Sequence, residues 1–96
     1  MTADDNRIDW DVLGFVVASD YRRAVVDALD DAGPATPTTL GERTNLAITH
    51  VSRTLTELRE RDVVELLVPE DRKKGRIYGL TEDGQQLVGE IDEVGE

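Results

Sequence analysis

Cysteine is absent from these 96 residues, histidine occurs once, and lysine occurs only twice against nine arginines. Without cysteine there is no disulfide framework, no thiolate metal site and no cysteine redox switch. His50 alone cannot supply metal-ligand spacing. There is no Gly-rich phosphate loop, and the serines and carboxylates show no recognisable catalytic spacing, so an enzyme is the weakest class of function. No cofactor is expected. No apolar run approaches membrane-spanning length, and the opening MTADDNR is acidic, unlike a signal peptide. The expectation is a soluble, cytoplasmic protein with no membrane partner. The length suits one domain with one modest core, expected over residues 8–96 behind a disordered tail at 1–7.

Positive charge is also scarce. The formal net charge is −10, which at first sight argues against a nucleic-acid partner. The distribution of that charge points the other way. Residues 1–36 carry three basic and eight acidic groups, and residues 79–96 carry six acidic and none basic. Residues 37–78 hold eight of the eleven basic groups against seven acids. The acid lies on the flanks. Acid-rich, Lys-poor surfaces of this kind resemble those of proteins from salt-accumulating halophilic archaea; hyperthermophile surfaces would be rich in Lys as well as Glu.

What is present is a succession of helix signals followed by a change of period. Ile8 to Ala18 is apolar nearly all round, with Trp10, Leu13 and Val17 on one stripe and Val12, Phe15 and Val16 on another, so it needs cover on more than one side. Ser19 suits an N-cap, with Asp20 in the first turn of a helix that runs to Ala32 and stops at Gly33. That helix is expected to turn Tyr21, Ala24, Val25, Ala28 and Leu29 inward. Pro34 to Thr36 suits a minor edge strand. Thr36 followed by Pro37 is a cap and first-turn proline, opening a short helix through Arg43 with Leu40 inward. Beyond Asp62, VVELLVP and RIYGL are strand-like runs around the charged tip EDRKKG, which together read as a β-hairpin. The tip carries Arg72, Lys73, Lys74 and Arg76, the densest positive cluster in the chain. Thr81 caps a last helix whose stripe, Leu87, Val88, Ile91 and Val94, needs a partner surface.

Between the short helix and the hairpin lies the stretch on which function turns, Thr44 to Asp62. Ile48, Val51, Leu55 and Leu58 follow a 3, 4, 3 spacing and share one helical stripe. Thr49, His50, Arg53 and Thr56 turn the other way, with Ser52 at the margin. Hydroxyls, an imidazole and a guanidinium on one exposed face can hydrogen-bond base edges or phosphates. Asn45 suits the tight turn before this helix, because Asn tolerates the left-handed conformation. The order is that of an α+β fold, mainly helical with a β-hairpin wing: a winged helix-turn-helix, with a recognition helix at about 47–61 and a wing at 69–77.

The segment LGERTNLAITHVSRTLTELRERDVVELLVPEDRKKGRIYGLTEDGQQLV resembles the core of MarR/ArsR-type winged-helix transcriptional regulators, particularly small archaeal ones. THVSRTLTEL, LRERDVVE and GRIYGLTEDG carry the likeness, which covers about Ser19 to Val88. It implies base-reading roles for Thr49, His50, Arg53 and Thr56, and phosphate-holding roles for Ser52, Thr44 and Asn45. It implies backbone or minor-groove contacts for Arg72, Lys73, Lys74 and Arg76. The chain departs from metal-sensing members in lacking cysteine, and its short flanking helices argue against a deep ligand pocket. The function implied is a sequence-specific regulator of transcription that binds double-stranded DNA as a homodimer; the sequence names no operator and no small-molecule effector. Trp10, Leu13, Phe15 and Val17 of the first helix and Leu87, Ile91 and Val94 of the last are the expected dimer surface. The alternative is a winged helix serving as a protein–protein module of a transcription complex, which the overall acidity and the outward Glu57 and Glu60 favour. Those acids lie toward the C-terminal end of the helix, where base reading is weakest, and Glu57 stands four residues from both Arg53 and Arg61.

Overall fold

The computed structural model describes residues 10–69, 71 and 74–94, with the backbone alone for 92–94. In chain order these form α1 (Trp10–Val17), α2 (Asp20–Ala32), α3 (Pro37–Thr44), α4 (Ile48–Glu60), β1 (Val64–Leu66), β2 (Tyr78–Leu80) and α5 (Glu82–Val94). This is a winged helix-turn-helix, with the wing spanning the connection between β1 and β2.

The helix boundaries follow from local chemistry. The Ser19 side chain accepts a hydrogen bond from the Arg22 backbone N–H, capping α2, and Gly33 ends that helix at φ 86°. Thr36 accepts from the Thr39 N–H ahead of Pro37, so α3 opens on its cap and proline. Asn45 takes the left-handed conformation at φ 63°, with its N–H donating to the Gly41 carbonyl. α4 closes on a Schellman turn. Asp62 stands at φ 62°, its N–H donates to the Arg59 carbonyl, and the Val63 N–H reaches back to Leu58.

β1 and β2 pair antiparallel, with Val64 opposite Leu80 and Leu66 opposite Tyr78. The edge strand expected at Pro34–Thr36 narrows to one bridge, in which Ala35 and Tyr78 exchange both backbone hydrogen bonds at 2.9 Å. α2 runs through the centre and packs on α1, α3, α4, α5 and β2. Val25, Val26 and Leu29 of α2 join Leu13, Val16, Leu40, Val51, Leu55, Leu58, Val63, Val64, Tyr78, Leu87, Val88 and Ile91 in one core.

The fold corrects three expectations. Tyr21 does not turn inward: it is 44% exposed, because the first turn of α2 lies along the flank of α4 rather than under it. Ile48, assigned to the buried stripe, is 50% exposed at the leading end of α4, while Thr54 fills a buried position in that helix. The stripe of α5 has its partner within the chain, since Leu87, Val88 and Ile91 are all buried in the monomer core, as is Leu13 of α1. They leave no spare apolar surface for a second subunit. Trp10 and Val17 do, at 58% and 42% exposure. Phe15 is half-buried, and the side chain of Val94 lies outside the described residues.

Candidate nucleic-acid interface

The outward face of α4 is formed by Thr49, Ser52, Arg53 and Thr56, all exposed. No acidic residue of α4 falls between them. The Thr56 hydroxyl donates to the Ser52 carbonyl at 3.1 Å, which leaves its oxygen able to accept. Along one edge of this face runs a groove of about 530 Å³. Its floor is Ile48, Ser52 and Thr56 of α4; its walls are Thr36, Pro37 and Thr38 at the start of α3, and Lys74, Gly75, Arg76 and Tyr78 of the wing. Two cations and a helix N-terminus thus border a row of hydroxyls, a setting that favours an anion. Arg72 and Lys73, expected beside them, lie outside the described residues.

The opposite flank of α4 is anchored to the corner between α1 and α2. The rings of His50 and Tyr21 lie 4.9 Å apart, centroid to centroid, and His50 is half-buried. Further along the helix, Glu57 accepts from Arg22 Nε at 3.1 Å. Arg22 also donates to the Phe15 carbonyl at 2.8 Å, with its guanidinium 3.7 Å above the Phe15 ring. On the same ring sits the guanidinium of Arg61, just past the end of α4, at 4.1 Å. Glu57, which stands four residues from both Arg53 and Arg61 in sequence, therefore pairs with Arg22 of α2 instead. His50 is shared between the exposed face and this clamp.

Thr44 and Asn45 serve the turn. The Thr44 hydroxyl donates to the Leu40 carbonyl at 2.7 Å and accepts from the Leu46 N–H at 3.3 Å, which commits it to the backbone. It also lines a separate groove with Asp27, Asp30, Asp31 and Arg43, where three acids stand against one cation. Asn45 remains exposed. Sequence reasoning missed Ile48, Thr36 and Thr38 as parts of the candidate interface, and Tyr21, Arg22 and Phe15 as the supports behind it. The two strand-like runs around a basic tip were the available signal that something would face the start of α3.

Residues 10–96 match the model of one protein family, the HVO_A0261 N-terminal domain. The chain belongs to that family. No curated protein matches this HVO_A0261 N-terminal domain chain. Among solved structures, it is similar to NMB1585, a MarR family regulator from Neisseria meningitidis, at TM-score 0.72 and 24% identity over 88% of this chain and 60% of that one. BpsR of Bordetella bronchiseptica, whose DNA binding is regulated by 6-hydroxynicotinic acid, superposes at TM-score 0.74 with 21% identity, over 80% of this chain and 58% of that one. NadR in complex with 4-hydroxyphenylacetate gives TM-score 0.72 and 22% identity, over 85% and 58%. The HVO_A0261 N-terminal domain thus has a MarR-type winged-helix fold, and it spans less than two thirds of each of these relatives.

Proposed function

We propose that this chain is a sequence-specific, double-stranded-DNA-binding regulator of transcription. The first turns of α4 enter the major groove, and the wing lies on the backbone or in the neighbouring minor groove. One observation carries the reading: the acid-free face of Thr49, Ser52, Arg53 and Thr56 runs without a break into a groove walled by Lys74 and Arg76. The MarR-type neighbours support it, BpsR in particular because its DNA binding is regulated by a small molecule. Arg53 is the strongest base reader, since a guanidinium can meet a guanine edge with two hydrogen bonds. His50 has a lesser part because its ring is held by Tyr21.

The working unit is a homodimer built on α1. Trp10, Gly14 and Val17 share one exposed face, and a β-carbon at Gly14 would meet nothing within 4 Å, so a partner helix has room to come close. The acid-rich, Lys-poor surface supports an origin in a salt-accumulating archaeon.

The test is a titration on genomic DNA fragments at several potassium chloride concentrations. Arg53→Ala should cost about 1–3 kcal/mol on the preferred site and relax preference at one base position. Lys74→Ala should weaken all sequences alike and flatten the salt slope by about one unit. At molar salt, where counterion release drives little, Arg53→Ala should be the more damaging. Equal loss on every sequence from Arg53→Ala would remove α4 as the reading helix, and no binding to any duplex would leave the protein–protein module.

A further inference from the structure

Five large apolar side chains are exposed among the described residues: Trp10, Val17, Tyr21, Ile48 and Leu67. Trp10 and Val17 lie on the proposed dimer helix, Tyr21 faces the ring of His50, and Leu67 stands at the wing base over Gly79 and Pro34. Ile48 is different. It is the first residue of α4, follows the exposed Ala47, and stands among the hydroxyls and cations of the candidate interface. A hydrocarbon in that position is left in water by the free protein and gains only if the ligand presents a hydrocarbon of its own.

The side chain is also held in place. Its Cγ1 lies 3.5 Å from where a β-carbon on Gly41 would stand, so the buried glycine gives it a seat on one side while the other side stays open. Branching at Cβ restricts its rotamers in a helix, so little freedom is lost when it makes a contact. Ser52 and Thr56 follow it one and two turns on, in the same groove. Of the groups that line the major groove of DNA, the C5-methyl of thymine is the one apolar group that projects beyond the base edge, and it is met by apolar side chains.

We propose that Ile48 reads a thymine: as α4 docks, its open side packs on the C5-methyl group and fixes preference at one base position in each half-site. This rests on the DNA-binding reading above and adds an apolar contact to the polar ones.

Deoxyuridine, which pairs as thymine does but lacks the methyl group, isolates the contact. High-affinity duplexes are first selected from a random pool by the wild-type protein. Each thymine of the selected duplex is then replaced by deoxyuridine in turn, and affinity is measured by fluorescence anisotropy for wild type, Ile48→Val and Ile48→Ala. At one position per half-site, deoxyuridine should weaken wild type roughly fourfold, the worth of one buried methyl group. The same replacement should have no effect on Ile48→Ala and a partial effect on Ile48→Val. Circular dichroism of each variant establishes that the fold is kept. Retained sequence preference with losses that simply add at every thymine would overturn the assignment and leave the DNA-binding reading standing. Absence of sequence-preferring binding by wild type would remove both.

Discussion

Gly84, in the first turn of α5, is the position where one added methyl group should do most harm. In an ordinary helix interior, Gly→Ala gains up to about 1 kcal/mol. Here the new β-carbon would fall on the Val63 carbonyl oxygen, well inside contact distance, and the obstacle is backbone rather than a side chain that can swing away. The same oxygen accepts from the Thr81 N–H at 3.0 Å and from the Thr81 hydroxyl at 3.2 Å, and that hydroxyl also donates to the Asp62 carbonyl at 2.6 Å. Making room means lifting α5 from the end of α4, which breaks the Thr81 N–H bond and the hydroxyl donation shared between the Asp62 and Val63 carbonyls, at about 1 kcal/mol each. It also loosens Leu87, Val88 and Ile91, and overpacking of this kind costs about 1–3 kcal/mol. Set against the helix gain, the net loss is about 2–5 kcal/mol, or a melting temperature lower by roughly 10–40 °C for a domain of this size. Gly89 is the matched control. It lies in the same helix, exposed, and a β-carbon there would meet nothing within 4 Å. Gly89→Ala should therefore stabilise by about 0.5–1 kcal/mol. Thermal unfolding followed by circular dichroism compares the three proteins, and a Gly84→Ala variant that melts at or above wild type would refute the reasoning.

Other consequences can be measured with the same material. Phe15→Leu removes the ring on which the guanidiniums of Arg22 and Arg61 both sit, so it should cost about 1–2 kcal/mol in urea unfolding. Through the loosened flank of α4 it should also weaken DNA binding, and an unchanged affinity would show that the clamp does not orient the helix. Stability should rise from low to molar potassium chloride, because the surplus acids repel one another and the Debye length shrinks to about 3 Å at molar ionic strength; a flat or falling melting temperature would contradict this. Sedimentation should find a dimer at tens of micromolar in high salt and a shift toward monomer for Trp10→Ala with Val17→Ser, whereas a wild-type monomer would end the α1 assignment.

The features that sequence made legible are those decided within a few residues of the chain. Ser19, the Thr36–Pro37 pair and Asn45 act on backbone groups no more than four residues away, so their chemistry shows their roles directly; Thr81 caps α5 in the same local way at the Gly84 N–H, but its reach back to the Asp62 carbonyl is a tertiary contact. Apolar periodicity likewise carries the order of helices and the wing. It does not say which neighbour covers which stripe. The apolar spacing of α4 includes Ile48, yet the α3–α4 turn leaves this first residue of α4 at the edge of the domain, half exposed, while Val51 one position further along the stripe is fully buried. For α5 the mismatch runs the other way: its stripe suggests a partner outside the chain, and Val63, Leu13 and α2 already supply the cover. Glu57 shows the limit most clearly. Two arginines stand four residues away, one on its own helix and one at that helix's C-cap, but the geometry pairs it with Arg22, 35 residues distant, and turns Arg61 onto Phe15.

A protein of net charge −10 that binds DNA must keep its acids from the phosphates by placement, by screening, or by both. Placement is visible in the fold. Asp27, Asp30 and Asp31 line a groove between α2 and α3 together with Arg43, whereas the proposed reading face and the groove beside it present hydroxyls, Ile48, Arg53, Lys74 and Arg76. Glu57, the acid of α4 nearest that face, is held by Arg22. Screening does the rest at molar salt, since a Debye length of about 3 Å confines each charge to its immediate neighbours. Of the contacts proposed above, those that would survive such screening are short-range: two hydrogen bonds from Arg53 to one base, hydroxyls to phosphate oxygens, and a methyl group packed on Ile48. The wing cations then act as neighbours of particular phosphates rather than as a source of long-range attraction. Diluting the salt should expose the acids of the other faces again and slow association. Sequence preference, which depends on the short-range contacts, should change far less than affinity across that range.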